Sequence, residues 1–270
     1  MQINDKAIPS ILIISARYPP AICGVGDHSV HLLHFWRKKG YSVYLATLSA
    51  AAAGEGVFII PEAVGERKVF LTALLKQYGI GFVFWQYSPY ALHPRGTPWW
   101  VVSAVRKLAG IGVQQAIYFH EVQIRYSVPG LFNKFRAFQQ HRIANALTRL
   151  CKSRVATSIP FYLQYFSGEK PVCIPVPPNI PVTQRAAATA VIKIAAFANR
   201  ALPCVVQALA QVQQQQPEIE VVWLGNVSDD EREQLAVNMS TTGLQARITG
   251  VVGLEQLAAE LQTATLVLLP

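Results

Sequence analysis

Residues 11–47 read ILIISARYPPAICGVGDHSVHLLHFWRKKGYSVYLAT. An apolar run enters a Pro- and Gly-rich loop, a helical pattern leaves that loop at Asp27, and a second β-branched run follows. This is a strand–loop–helix–strand unit, whose home is a parallel sheet covered by helices. Gly24 and Gly26 stand just before the expected helix start, where bare backbone N–H groups can face an anion. The unit points to an open α/β sheet that takes its ligand at the carboxyl ends of the strands.

The same alternation continues outward. Strands are expected at 81–85, 113–119, 154–157 and 172–174, and helices at 66–78, 98–109 and 131–151. β and α segments alternating at this spacing favour a doubly wound parallel sheet. The Pro-rich stretch from 175 to 190, PVPPNIPVTQRAAATA, breaks the pattern and reads as a linker at about 176–190. A second βα series starts at 191. Its strands lie in VIKIAAFA, IEVVWLG, ARITG and TLVLLP, and its helices at 204–214, 229–239 and 254–262. Ser228 or Asp229 is positioned to cap the middle helix, and Gly243 to end it. The expected architecture is α/β, with two Rossmann-like doubly wound domains at 1–178 and 191–270. The second, with about 80 residues, is shorter than a full unit of this kind and reads as incomplete.

Composition narrows the class. The chain has 270 residues, half of them hydrophobic, enough for a sizeable core. No apolar run reaches the length of a membrane span, and the N-terminus lacks a signal-peptide pattern, so a soluble cytoplasmic chain is expected. Cys23, Cys151, Cys173 and Cys204 are scattered and read as structural or incidental thiols. Charge is uneven. Residues 1–180 carry 19 Lys and Arg against 7 Asp and Glu, whereas residues 181–270 carry 5 against 8. The basic half suits anionic lipid heads or a phosphate-bearing acceptor, including contact at the inner face of a membrane. No nucleic-acid-binding signature accompanies it.

In order, the segments 18–47, VFWQYSPYALHPRGTPWW (83–100), IYFHE (117–121), RVATSIPFYLQY (154–165), VCIPVPPNIP (172–181), VVWLGN (221–226) and 243–270 cover nearly the whole chain. Together they resemble glycosyltransferase family 4, the retaining, metal-independent sugar transferases of the GT-B fold. The resemblance implies transfer of a hexose from a nucleotide sugar to a glycan or lipid-linked acceptor. The nucleotide sugar is a substrate, and neither cofactor nor metal is implied. The sequence departs from the family pattern in three places. Cys23 stands where a second adjacent glycine is common. Arg200 has no Lys after it. The donor motif expected beyond the last strand does not occur before Pro270. A truncated homologue that binds a glycan or nucleotide without turnover is therefore the alternative.

Without a metal, protein groups must meet the charge of the leaving diphosphate and orient the sugar. His120, closing the strand AIYF at the ligand edge, is the candidate catalytic residue, and the resemblance places an active-site His there. Gly24 and Gly26 allow close backbone approach, and Asp27 either caps the helix or contacts acceptor hydroxyls. Glu121 can orient loop groups, and Tyr87 and Tyr90 can shape the cleft. Arg200 can pair with the diphosphate. His28, His31 and His34 recur every three residues, but no carboxylate or Cys completes a metal set, so they read as a helix face. Trp99 and Trp100 read as helix-start packing. A nicotinamide enzyme fits less well, because Ser29 replaces the third glycine and no acidic residue ends the second strand.

Overall fold

The computed structural model describes residues 9–21, 23–49, 54–124, 128–152, 154–176, 191–197, 202–225 and 227–268. The chain divides into two compact units, Met1–Asn179 and Ile180–Pro270. Residues 177–190, and with them nearly all of the expected linker, lie outside the described residues.

The first unit holds β1 (Ser10–Ser15), α1 (Gly24–Lys38), β2 (Val43–Thr47), β3 (Val57–Ile59), α2 (Val64–Gln77) and β4 (Ile80–Tyr87). It continues with α3 (Pro89–Leu92), α4 (Trp99–Gly110), β5 (Gln114–Phe119), α5 (Leu131–Cys151), β6 (Val155–Thr157) and β7 (Val172–Cys173). The strands form one parallel sheet in the order β3-β2-β1-β4-β5-β6-β7. Both faces are covered, so β1 is buried along residues 11–15. Ile11 and Ile13 pack with Leu33 of α1 and with Val43 and Leu45. Leu12 and Ile14 join Trp85, Tyr87, Phe119 and the apolar sides of α2, α4 and α5 on the other face.

The second unit is built the same way. It has β8 (Lys193–Phe197), α6 (Pro203–Gln215), β9 (Glu220–Leu224), α7 (Asp229–Thr242), β10 (Arg247–Gly250), α8 (Leu254–Thr263) and β11 (Leu266–Leu268). Its parallel sheet has the order β10-β9-β8-β11. Trp223 is fully buried among Ile194, Val221 and Leu235. Ser228 caps α7 by accepting from the Glu231 N–H, and Gly243 ends it in the left-handed conformation at φ 74°. Lys193 and Arg247 both pair with Glu260, tying β8 and β10 to α8.

Three local expectations change. Helix α1 begins at Gly24 rather than Asp27, with Cys23 at the N-cap and no side chain capping it. Strand β3 and the single turn α3 stand where no element was expected, and a 3₁₀ turn spans Pro160–Tyr165. All four cysteines are free thiols, and burial raises that of Cys151 to about 12.

Candidate active site

Strand order reverses at β1. β2 and β3 extend to one side of it, and β4 to β7 extend to the other. The carboxyl ends of β1 and β4 therefore flank a topological switch point, where open α/β sheets form a crevice. Three polar side chains converge there from three elements. Gln86 is the penultimate residue of β4, His120 follows β5 directly, and His28 lies in the second turn of α1.

His120 is held on every side. Its Nε2 makes a short hydrogen bond with Oε1 of Gln86. Its backbone N–H donates to the Tyr87 carbonyl at 2.9 Å, and Ser158 Oγ donates to the His120 carbonyl at 3.2 Å. The His28 ring stands edge-on to it, centroids 5.3 Å apart, and Tyr118 completes the cluster at 4.8 Å. Burial, reinforced by the neighbouring His28, lowers the pKa of His120 to about 3. The imidazole is thus neutral at physiological pH. Nε2 carries the proton toward Gln86, which leaves Nδ1 as a hydrogen-bond acceptor.

His28 is also held below the ordinary histidine range, first by burial. A polar contact from Gln86 opposes that fall, and His31 adds to it. Nδ1 of His28 and Nε2 of Gln86 are buried and make no hydrogen bond among the described residues. Buried polar atoms normally find partners, and one left without a partner costs free energy.

Depressed histidines give stability a pH dependence of known sign. The unfolded chain takes up protons near pH 6.5, whereas folded His120 resists until about 3. Stability is intact above the unfolded value and falls as pH drops below it. We expect a loss of up to roughly 1 kcal/mol per pH unit between pH 6.5 and 4. Thermal melts across that range should show a shallower fall for His120→Gln.

The other expected site residues sort differently. Gly24 and Gly26 sit in the first turn of α1 rather than in a loop before it. Gly26 is buried, and a Cβ there would meet the Arg17 carbonyl oxygen at 3.1 Å, so its bareness lets the β1–α1 loop lie on the helix. Asp27 is a first-turn residue and not the cap. Its N–H donates to the Cys23 carbonyl at 2.9 Å, and burial raises its carboxyl pKa against the opposing effect of His31. Glu121 accepts from Ser88 Oγ at 2.8 Å, joining the segments after β4 and β5.

Tyr87 corrects an expectation. It is fully buried on the opposite face from Gln86, packed on Phe119, and burial raises its phenol pKa. Strand alternation sends residues 85 and 87 inward and Gln86 toward the site. Trp100 is buried and donates to the Leu92 carbonyl at 3.1 Å, while Trp99 is exposed. His28 is buried, but His31 and His34 are exposed, so the three do not share one environment. Among the described residues, no cluster of three or more His, Cys, Asp or Glu is placed to hold a metal. Arg200 lies outside the described residues.

Two cavities flank this geometry. One, of about 420 Å3, opens at the same strand edge and is lined by Arg17, Ser49, Arg67, Tyr90 and His93. A larger groove of about 780 Å3 runs between α2 and α4, away from the strand ends, and is ringed by Lys68, Lys76, Arg106 and Lys107. Neither of these two cavities is lined by His28, Gln86 or His120.

Solved structures share this architecture. A glycosyltransferase from Rickettsia africae ESF-5 is similar over 96% of this chain and 72% of its own, with a TM-score of 0.64 and 13% identity. Anabaena HepE in complex with UDP and glucose is similar over 96% and 73%, with a TM-score of 0.62 and 13% identity. A UDP-GlcNAc 2-epimerase from Neisseria meningitidis bound to UDP-GlcNAc covers 96% and 76%, with a TM-score of 0.56 and 6% identity. The fold is that of GT-B proteins. No protein-family model and no curated protein matches the chain.

Gln86, His28 and Arg67 were not picked from the sequence. Gln86 had a signal: it is the one polar residue in the strand VFWQY, next to the tyrosine that drew attention instead. His28 was masked by its regular spacing with His31 and His34. Arg67 stacks on Trp100 at 4.6 Å and donates to the Pro61 and Glu62 carbonyls, contacts that no sequence pattern announces.

Proposed function

We propose that this GT-B chain is a glycosyltransferase that moves a hexose from a nucleotide sugar to a glycan or lipid-linked acceptor with retention of anomeric configuration. The observation that carries the reading is His120. A neutral imidazole with one nitrogen locked by Gln86 offers the other to a sugar hydroxyl at the switch point of the sheet. A residue whose conjugate acid has a pKa near 3 does not carry protons efficiently at neutral pH. Its task here is to orient the sugar, so that the acceptor hydroxyl arrives on the face the phosphate leaves.

The diphosphate charge needs N–H groups or guanidinium partners. In the first unit, the N–H groups of the first turn of α1 at Gly24 and Gly26 are the proposed ones. Asp27 and Glu121 border the acceptor. The nucleotide sugar is a substrate, and the reading requires no metal or organic cofactor. We place the protein in the cytoplasm, at the inner membrane face. Among the described residues, no helix is long and apolar enough to cross a membrane.

A panel of nucleotide sugars scored by thermal shift tests the reading. One member should stabilise the fold by about 2.7 kcal/mol at a hundredfold excess over its Kd. With acceptor present, that sugar should be transferred and nucleoside diphosphate released. Binding without release supports the non-catalytic alternative. A sugar isomerised while still attached to its nucleotide replaces transfer with epimerisation. No stabilisation by any member ends the proposal.

A further inference from the structure

Helix α5 exposes more large apolar side chains than any other helix of its unit. Its second half is buried through Ile143, Ala144, Leu147 and Cys151. Its first two turns expose large apolar side chains instead: Leu131 at 87%, Phe132 at 63%, Phe135 at 59% and Phe138 at 47%. Together these present roughly 500 Å2 of apolar side chain, the size of the largest apolar patch on a typical monomer, which is often functional.

The charge along this segment has one sign. No Asp or Glu occurs between Glu121 and Glu169, a stretch holding seven Lys and Arg. Arg136 stacks over Phe132 at 4.6 Å, and Arg142 lies over Phe138 at 5.7 Å. Lys134 is exposed between them. On the same helical layer, but farther from the strand ends, the groove between α2 and α4 adds Lys68, Lys76, Arg106 and Lys107. Among the described residues, every ion pair of the chain lies in the second unit.

The patch also sits at the site's edge of the sheet. Gln140 of α5 accepts from the Ile124 N–H beyond β5 and donates to the Gly96 carbonyl beyond α3. Arg136 Nη1 reaches Tyr90 Oη at 3.5 Å, and Tyr90 lines the strand-edge cavity.

We propose that the first two turns of α5 dock on an anionic lipid surface, with the rings entering the headgroup boundary and the Arg and Lys heads meeting lipid phosphates. This deepens the glycosyltransferase reading and rests on it in one respect. The acceptor presented to His120 is lipid-linked and comes from that surface. A second copy of this chain is a poor occupant, because its own cations would face these cations.

The test uses the full chain and sedimentation with phosphatidylcholine vesicles, with and without about one-third phosphatidylglycerol. Binding should require the anionic lipid and weaken with salt. Leu131→Ser/Phe135→Ser, both solvent-facing, should lower partition about tenfold. Lys134→Glu/Arg142→Glu should abolish the preference for anionic vesicles. Both variants should keep the wild-type melting point and nucleotide-sugar thermal shift. Wild-type-like vesicle binding by both variants, or no binding by the parent, overturns the docking surface. So does a concentration-dependent dimer that Leu131→Ser/Phe135→Ser abolishes. Vesicle binding needs no sugar, so failure of the glycosyltransferase reading shows separately, as absence of transfer by a parent that still sediments.

Discussion

Replacing His120 by alanine should lower kcat/KM for sugar transfer about a hundredfold, close to 2.7 kcal/mol of transition-state stabilisation. The substitution removes the Nδ1 acceptor that the site offers a sugar hydroxyl. It also frees Gln86, whose Nε2 is already without a partner and whose Oε1 would lose the His120 ring. Leaving that amide buried and unpaired costs about 1–3 kcal/mol of stability, so activity must be measured well below the melting point of the variant.

Gln86→Leu separates the two effects. It keeps the imidazole but releases its tautomer, and should cost roughly tenfold in kcat/KM. Because burial and His28 keep His120 neutral, no inflection near pH 6.5 should arise from it either in the parent enzyme or in Gln86→Leu. A His120→Ala enzyme with parental kcat/KM would remove His120 from the mechanism. A Gln86→Leu enzyme as impaired as His120→Ala would mean that the pair matters for packing alone.

Much of this geometry is readable before any coordinates. Residues 11–47 fix the first β–α–β unit, and α5 spans the expected residues 131–151 at both ends. His120 stands out because a polar residue ending an apolar strand has nowhere to go but the sheet edge. The misplaced start of α1 has a local cause. Gly24 and Gly26 are poor helix formers, and the approach of the Arg17 backbone, invisible in the sequence, is what calls for a bare residue at Gly26. Strand β3 has three residues at the sheet edge, too short for a periodic signal. Tyr87 went wrong by one step of strand parity. Trp85 and Tyr87 share the buried face, and the residue between them reaches His120. Sequence spacing could pair those residues, but only packing decides which face meets α1.

Gly96→Ala should destabilise the first unit by about 3 kcal/mol, shifting its melting point down by roughly 10 °C. Gly96 adopts φ +69°, a conformation that a side chain makes costly. A Cβ there would stand 2.6 Å from Nε2 of Gln140 and 2.8 Å from the Tyr90 ring. The Tyr90 ring is exposed and can shift, but Gln140 cannot give way cheaply. Gln140 is fully buried and bridges the Gly96 carbonyl at 3.0 Å and the Ile124 N–H at 2.8 Å. Displacing it strands two backbone groups and unties the segments after α3 and β5. Those segments carry Tyr90 and frame His120, so sugar transfer should fall as well. Gly65→Ala in α2 is the matched control: its Cβ meets nothing within 4 Å, and it should be neutral or stabilising by up to about 1 kcal/mol. Urea unfolding followed by tryptophan fluorescence compares the two, since Trp85 and Trp100 pack in this unit's core. Equal midpoints for Gly96→Ala and Gly65→Ala would mean that the turn relaxes around the methyl group, and that Gln140 does not fix the edge on which the site is built.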